Sequence, residues 1–477
     1  MNNAIVLFIV ILLISRVFSE TFGLLPKAVD LIDFIVIPML LLLCTVQSIK
    51  NKSRIFQQIL PVIGLYVTVA AISIVVNWNR VNFGPAFLFI FGILEGPLLY
   101  VVLNLLIKNK NDLIEKIFKF FKFIIIIEIL AVLFISIPAF IITQDPDKIS
   151  GTFGNNCYQF SVLLTILGGF SLGQYYLQKK KSFLYLMALL FFIVTFILLQ
   201  YRTALPAFFL SFTVGFVVLF GRKFIRLSFA LMVVGISLGY GMSYMNSSDI
   251  DLKYDDLLTL AANPSIVLNY GKVKSYVNTW LMYEEYPYMA IIGSGPGTFV
   301  SRANYTFTVE MSSSKSKGVG AILQSVFGNN NYYTDVQIKY ILPLYSMDVL
   351  FGSIQINNPN SSVLANAAEV GLSGLLIICV LYGTMLRYCI KFLNYAKFKK
   401  DAILIPLSTS LVISFIYFIL ISPLDNYMEI ARVSLPVWVL FWAVSNQVEI
   451  NQQGVYSEIF NRENVFEPKN NMNINRL

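Results

Sequence analysis

The residues of this sequence best able to do chemistry are basic ones in short polar segments between apolar runs: Lys148, Arg202, Lys272 and Lys274. Arg presents a planar fork of donors and Lys a compact point charge, and either one, held in place, stabilises negative charge as it develops on a leaving group. Two further residues belong with them. Asn360 lies in Asn357-Asn358-Pro359-Asn360-Ser361-Ser362, a break and helix N-cap ahead of an apolar run. Glu369 sits about two turns into that run, where an ionised carboxylate is costly unless paired, so it is expected to face a bundle interior. There it would orient a basic partner or lock packing. Glu95, in Gly92-Ile93-Leu94-Glu95-Gly96-Pro97, is a second intramembrane carboxylate and a lesser candidate. The chain has no histidine, which removes the commonest general base and the commonest metal ligand together. The expectation is chemistry without a metal or cofactor. Each basic residue has a second reading: Arg202 equally suits a boundary charge that snorkels to headgroups, and the three lysines suit solvated loop charges or contacts to anionic lipid.

The elements that must hold these residues are membrane helices. The chain is 57% hydrophobic and only 13% charged, too apolar for a water-exposed surface. A span needs about 20 apolar residues, and such runs fall near 4–19, 28–48, 59–77, 85–107, 122–143, 157–177, 184–201, 203–221, 226–245, 362–386, 402–422 and 430–447. Basic residues gather in every second connection: Lys50 to Arg54, Lys108 to Lys122, Lys179 to Lys181, Arg222 to Arg226, and Arg387 to Lys400. The positive-inside bias assigns those connections, and both termini, to the cytoplasm. The net charge of +9 then follows mostly from topology and gives no argument for nucleic acid. The first apolar run lacks a positive n-region and a small-residue cleavage site and reads as a retained span. Cys44, Cys157, Cys379 and Cys389 show no metal or disulfide spacing and are expected to be free, buried thiols.

One long interval, 246–361, interrupts the spans as a large extracytoplasmic loop. It is expected to fold, with a helix over 274–286, a stop at Tyr286-Pro287 and a turn at Gly293-Ser294-Gly295-Pro296-Gly297, while 312–331 reads as mobile. The glycine run has no Lys-Ser or Lys-Thr ending and no preceding strand, so it is not a P-loop. Glu284 and Glu285 are available as general bases or as surface charges. Tyr283, Tyr286, Tyr288, Tyr332 and Tyr333 suit an interfacial aromatic belt and, less strongly, sugar stacking. The segment 448–477 is polar and Asn-rich and reads as a loosely attached cytoplasmic tail.

Four local patterns, in order, resemble the superfamily of bacterial O-antigen polymerases and O-antigen ligases. Lys148-Ile149-Ser150-Gly151-Thr152-Phe153-Gly154-Asn155 is similar to its basic-x-x-Gly-Thr-Phe-x-Asn pattern, with Lys where Arg is usual. Tyr201-Arg202-Thr203 is similar to its Ser-Arg-Thr. Gly271-Lys272-Val273-Lys274, Trp280 and Gly293-Ser294-Gly295-Pro296-Gly297-Thr298-Phe299 resemble its basic residue, Trp and Gly-x-Gly-x-Gly-x-Phe. Asn360-Ser361-Ser362-Val363-Leu364 followed by Glu369-Val370-Gly371-Leu372-Ser373-Gly374 resembles its His-Asn-x-x-Leu and Glu-x-Gly-x-x-Gly, with Asn360 at the His position. The missing imidazole favours the polymerase branch.

The resemblance implies an all-α, GT-C-like membrane glycosyltransferase of about 12 spans, with one large partly helical outer loop, in the bacterial cytoplasmic membrane. Its reaction would transfer a growing glycan from polyprenyl diphosphate to a new lipid-linked repeat unit, in an O-antigen or capsule pathway. Arg202, Lys272, Lys274, Asn360 and Glu369 are then the catalytic candidates. Lys148, Arg202, Gly293 and Gly295 are the substrate-binding ones. A chain-length regulator is an implied partner alongside the lipid-linked glycans and the bilayer. The alternatives from the sequence are a flippase for lipid-linked oligosaccharides and a ligase-type glycan transferase.

Overall fold

A computed structural model of the chain describes residues 2–16, 18, 19, 22, 24, 32–42, 54–107, 109–154, 156–177, 182–201, 204–221, 225–246, 271–307, 333–346 and 361–465. The described elements are all helical. They run α1 (Asn2–Arg16), α2 (Ile32–Leu42), α3 (Arg54–Val76), α4 (Phe83–Leu106), α5 (Lys110–Thr143), α6 (Cys157–Leu177), α7 (Ser182–Leu198), α8 (Leu205–Phe220) and α9 (Ile225–Asn246). Then follow α10 (Gly271–Glu285), α11 (Pro287–Ile292), α12 (Arg302–Thr306), α13 (Asp335–Tyr340), α14 (Pro343–Ser346), α15 (Ser362–Lys399), α16 (Leu404–Ile421) and α17 (Ala431–Val465). Seven of these, α3 to α6 and α15 to α17, are long and apolar enough to cross a membrane, which makes the chain a multi-pass membrane protein. Five shorter apolar stretches of 10–17 residues, in α1, α2 and α7 to α9, coincide with the remaining apolar runs.

Burial divides the helices into two kinds. α4, α6, α16 and the apolar stretch 431–451 of α17 are enclosed over most of their length, whereas α3 and α5 turn large apolar side chains such as Ile72, Phe123 and Phe134 outward. Residues that would form a core in water are thus on the outside, as lipid allows. The innermost crossing, α6 on α16, is set by small residues. A Cβ at Gly169 would lie 2.8 Å from Ser410 Cα and one at Gly173 would lie 2.5 Å from Pro406 Cα, so only glycine lets the two backbones meet. Ser410 Oγ seals the contact by donating to the Ile166 carbonyl at 2.6 Å.

Several helices differ from their apolar runs. α5 begins at Lys110 because Asp112, Lys116 and their neighbours continue the helix beyond the bilayer-length stretch, with Asn109 accepting from Asp112 N as its cap. It passes a π-helical turn, Val132–Ser136, before Thr143. α17 runs on to Val465, into the segment read as a loose tail; once a helix is nucleated by packing, each added residue needs only to gain one backbone bond. The expected helix over 274–286 is present as α10, and Pro287 opens α11 at the expected stop. The stretch 312–331 and Cys44 lie outside the described residues. The other three thiols are free, but Cys379 is exposed and not buried, because its side of α15 faces away from the bundle.

The largest departure is inside α15. The sequence reads as one continuous span, yet Gly371 has φ 79° and ψ 177° and divides the helix into two pieces. Its N-terminal piece, 362–370, is buried nearly throughout. α11 packs across the break: a Cβ on Gly371 would lie 2.2 Å from the Ile291 carbonyl oxygen. Gly371→Ala is expected to lower stability by at least about 2 kcal/mol through the forced positive φ and this collision, read as a drop in the unfolding temperature of the protein in lipid nanodiscs.

Candidate functional site

At the break the carbonyls of Ala368 and Glu369 are free of the helix ladder, and the glycine-rich segment takes them. Ser294 N donates to Ala368 O at 2.8 Å and Gly295 N to Glu369 O at 3.0 Å. The Glu369 side chain completes the joint, since its two oxygens accept from the backbone N–H groups of Gly297 (2.5 Å), Phe299 (3.0 Å) and Ser301 (2.9 Å). Three converging N–H groups make a loop a cradle for a carboxylate, and here the occupant is the protein's own. Of the two roles left open for Glu369, the packing role is the one its contacts display. Gly293, Gly295 and Gly297 all have positive φ. A Cβ on Gly293 would meet the Glu369 carbonyl carbon at 2.3 Å and one on Gly297 the Pro85 carbonyl carbon at 2.5 Å. Both glycine substrate candidates, Gly293 and Gly295, are therefore buried in this joint. α3 supports it from the other side: Ser73 Oγ donates to Glu369 O at 3.1 Å and Asn77 Nδ2 to Gly293 O at 3.1 Å.

A second buried carboxylate shapes the first motif in a similar way. Glu128 of α5 accepts from Thr152 N at 3.1 Å and from Thr152 Oγ1, while Ser136 Oγ accepts from Gly151 N at 3.0 Å. Gly151 has φ 53°, and a Cβ there would lie 2.4 Å from Glu128 Oε2. Lys148 stands just outside this turn, with Nζ 3.9 Å from Asp145 Oδ2 and the side chain about one-third exposed. Glu128 was not among the residues singled out by sequence, although a lone Glu after Phe123-Ile124-Ile125-Ile126-Ile127 is the rare intramembrane carboxylate that could have drawn notice.

The remaining motifs meet at the same end of the bundle around the α16–α17 connection, 422–430. Ser361 caps α15 by accepting from Leu364 N at 3.0 Å. Ser362 N donates to Asp425 O at 3.2 Å, and Ser362 Oγ donates to Asn426 Oδ1 at 2.9 Å. Tyr276, two residues beyond Lys274 on α10, places its hydroxyl 2.6 Å from Ser361 Oγ and donates to Pro423 O at 2.8 Å. Lys274 itself is half-buried. Tyr427 OH donates to Tyr158 O at 2.7 Å, and Tyr158 packs edge-on against Tyr201 with ring centres 4.8 Å apart. Tyr201 immediately precedes Arg202. Arg202 and Asn360 lie outside the described residues, as does the side chain of Lys272.

Two acids of this connection, Asp425 and Glu429, are not among the residues singled out by sequence. Asp425 Oδ2 is enclosed with no hydrogen-bond partner, and burial pushes its carboxyl well above the usual carboxylate range. Glu429 accepts from Ala303 N at 3.3 Å. Burial first, and then repulsion from Glu369, push it up to about 8. The earlier base candidates are otherwise engaged. Glu284 accepts from Trp280 Nε1 at 2.8 Å. Glu285 holds Lys339 and Tyr340 OH, and these bonds, that to Lys339 first, draw it down to about 2, too low for a base at neutral pH. Glu95 lies deep between α4 and α17 and accepts from Ser434 Oγ at 2.7 Å.

Glu369→Gln is expected to destabilise the protein by about 1–3 kcal/mol, because an amide has one acceptor oxygen and would turn an N–H group toward a loop N–H. Thermal unfolding and faster proteolysis of 293–301 are the readouts. For Glu429 the sign follows from its raised value. Between its ordinary value of 4.5 and about 8 the folded protein keeps a proton that the unfolded chain has released, so stability falls as pH rises through that window. Melting temperatures from pH 5 to 9 should show this slope, and Glu429→Gln should flatten it.

No protein-family model matches the sequence, and comparison with curated proteins finds no match.

Proposed function

We propose that this chain is a metal-independent membrane glycosyltransferase, a polymerase that moves a growing glycan from polyprenyl diphosphate onto a new lipid-linked repeat unit. The observation that carries the reading is the gathering of motif segments. Tyr201, Tyr276 and Ser361–Ser362 are far apart in sequence and meet around 422–430 at one end of the bundle. On this reading that end faces outward from the cytoplasmic membrane of a bacterium, both termini are inside, and all twelve apolar helices span.

An apolar groove of about 660 Å³ lies between α1 and α5, lined by Ile14, Phe18, Ile127, Leu130 and Phe134 together with Thr152. It is a seat for the isoprenoid tail of the donor and would bring the diphosphate toward the Gly-Thr-Phe turn. Arg202, Lys148, Lys272 and Lys274 are the cations proposed to hold the departing diphosphate. The acceptor hydroxyl attacks the anomeric carbon as the bond from that carbon to the diphosphate oxygen breaks. Its proton passes to Asp425, whose Oδ2 has no hydrogen-bond partner among the described residues. Glu369 acts at a distance by fixing the loop.

Purified protein in liposomes, given its lipid-linked repeat unit, is expected to make a ladder of glycan multiples on a gel. Arg202→Ala should abolish the ladder, and Asp425→Asn should slow extension about 100-fold or more with little change in KM. Movement of repeat units between leaflets with no ladder would instead make the protein a flippase.

A further inference from the structure

A second cavity, of about 570 Å³, opens at the same end of the bundle, between the turn after α3 and the start of α13. We propose that it is a saccharide-binding site, the place where an uncharged stretch of oligosaccharide is held during the reaction. Its walls have the two components that sugar recognition uses. One is an aromatic face: Trp78 lines the cavity with 72% of its surface exposed, available to stack on the C–H face of a pyranose ring. The other is a set of planar polar groups, Asn79, Arg80 and Asp335, suited to the paired hydroxyls of a sugar, with the buried Asn77 side chain behind them.

The site is built and not a chance gap between loops. Arg80 Nε donates to both carboxylate oxygens of Asp335 at 2.9 Å, and its Nη1 donates to Tyr288 OH at 2.8 Å and Asn77 Oδ1 at 3.2 Å. Its guanidinium also lies 5.8 Å from the Tyr286 ring centre. Burial works against the charge on Arg80, but the bonds to Tyr288 and Asp335 hold its affinity for the proton above the ordinary value. One guanidinium thus ties three separate stretches of chain into a single wall. Because Asp335 already balances the charge of Arg80, the cavity favours a neutral glycan over a phosphorylated one. A volume within the roughly 300–1,000 Å³ of small-molecule sites admits a short oligosaccharide. Through Asn77, which donates to Gly293 O, the cavity floor joins the Gly-x-Gly-x-Gly segment clamped by Glu369, so a sugar bound here is held in fixed relation to that segment.

This assignment rests on the glycosyltransferase reading for the identity of the sugar, but its test needs no turnover. The protein is placed in nanodiscs of phosphatidylethanolamine and phosphatidylglycerol, free of sugar-headed detergent. It is titrated with the oligosaccharide released by mild acid from the host's lipid-linked repeat unit, with tryptophan fluorescence and calorimetry as readouts. Saturable binding is expected, weakened at least about tenfold by Trp78→Ala and by Arg80→Gln, and largely kept by Trp78→Phe. Equal affinity in wild type and Trp78→Ala, or no binding at millimolar oligosaccharide, would overturn the proposal. So would saturation by glycerophosphoethanolamine that the oligosaccharide does not displace, which would make the cavity a lipid-headgroup site. Binding without any polymer ladder retains the cavity and removes the polymerase; a ladder with Trp78→Ala binding unchanged removes only the cavity.

Discussion

The joint between Glu369 and the segment from Gly293 to Ser301 is the constraint on which this end of the molecule depends. A helix broken in an apolar environment must find new partners for the backbone groups it releases, since unpaired groups there cost several kcal/mol. Here Ser294 N, Gly295 N and Ser73 Oγ satisfy the carbonyls, and the Glu369 carboxyl in turn satisfies three N–H groups of the loop. The two depend on each other: the break needs the loop's donors, and the N–H groups of Gly297, Phe299 and Ser301 need the carboxyl that the break presents.

That joint is surrounded by further side-chain ties that extend its rigidity sideways. Asn304 Nδ2 donates to Gly297 O, Gln337 Nε2 to Phe299 O and Thr334 Oγ1 to Thr298 O. Thr334 and Gln337 also form a capping box on α13, which fixes Asp335 opposite Arg80. Tyr283 OH reaches Ala367 O at 2.6 Å, fastening α10 to the N-terminal piece of α15. The described segments 271–307 and 333–346 are thus tied to one another and to the bundle at α15, at the turn after α3 and at α4.

Buried carboxylates serve two different ends in this structure. Glu128, filled by the N–H and hydroxyl of Thr152, and Glu369, filled by three backbone N–H groups, act as structural acceptors, each bringing a motif segment to a helix. Asp425 and Glu429 each retain an oxygen without a hydrogen-bond partner, near the place where the motif segments meet. A carboxylate whose acceptor capacity is filled cannot take a substrate proton, whereas one left unfilled at a cost in desolvation has that capacity in reserve.

The sequence alone determined the membrane class, the long α-helices and most of their positions, because about 20 consecutive apolar residues admit few other structures in lipid. It also marked 274–286 as a helix, Tyr286-Pro287 as its stop and 357–362 as a break and helix cap, since these are local rules of backbone chemistry. Only the tertiary structure decided that Gly371 breaks α15. An isolated glycine in an apolar run is ordinary for a membrane helix, and the reason for the break lies in Ile291 and Ser294, some 80 residues away in sequence. Likewise Glu369 could be read as intramembrane, yet whether it met a cation or a loop depended on which donors the fold brought to it. Asp425, Tyr158 and Arg80 were unremarkable in sequence for the same reason: a residue's burial and partners come from segments distant in the chain, and no local pattern encodes them.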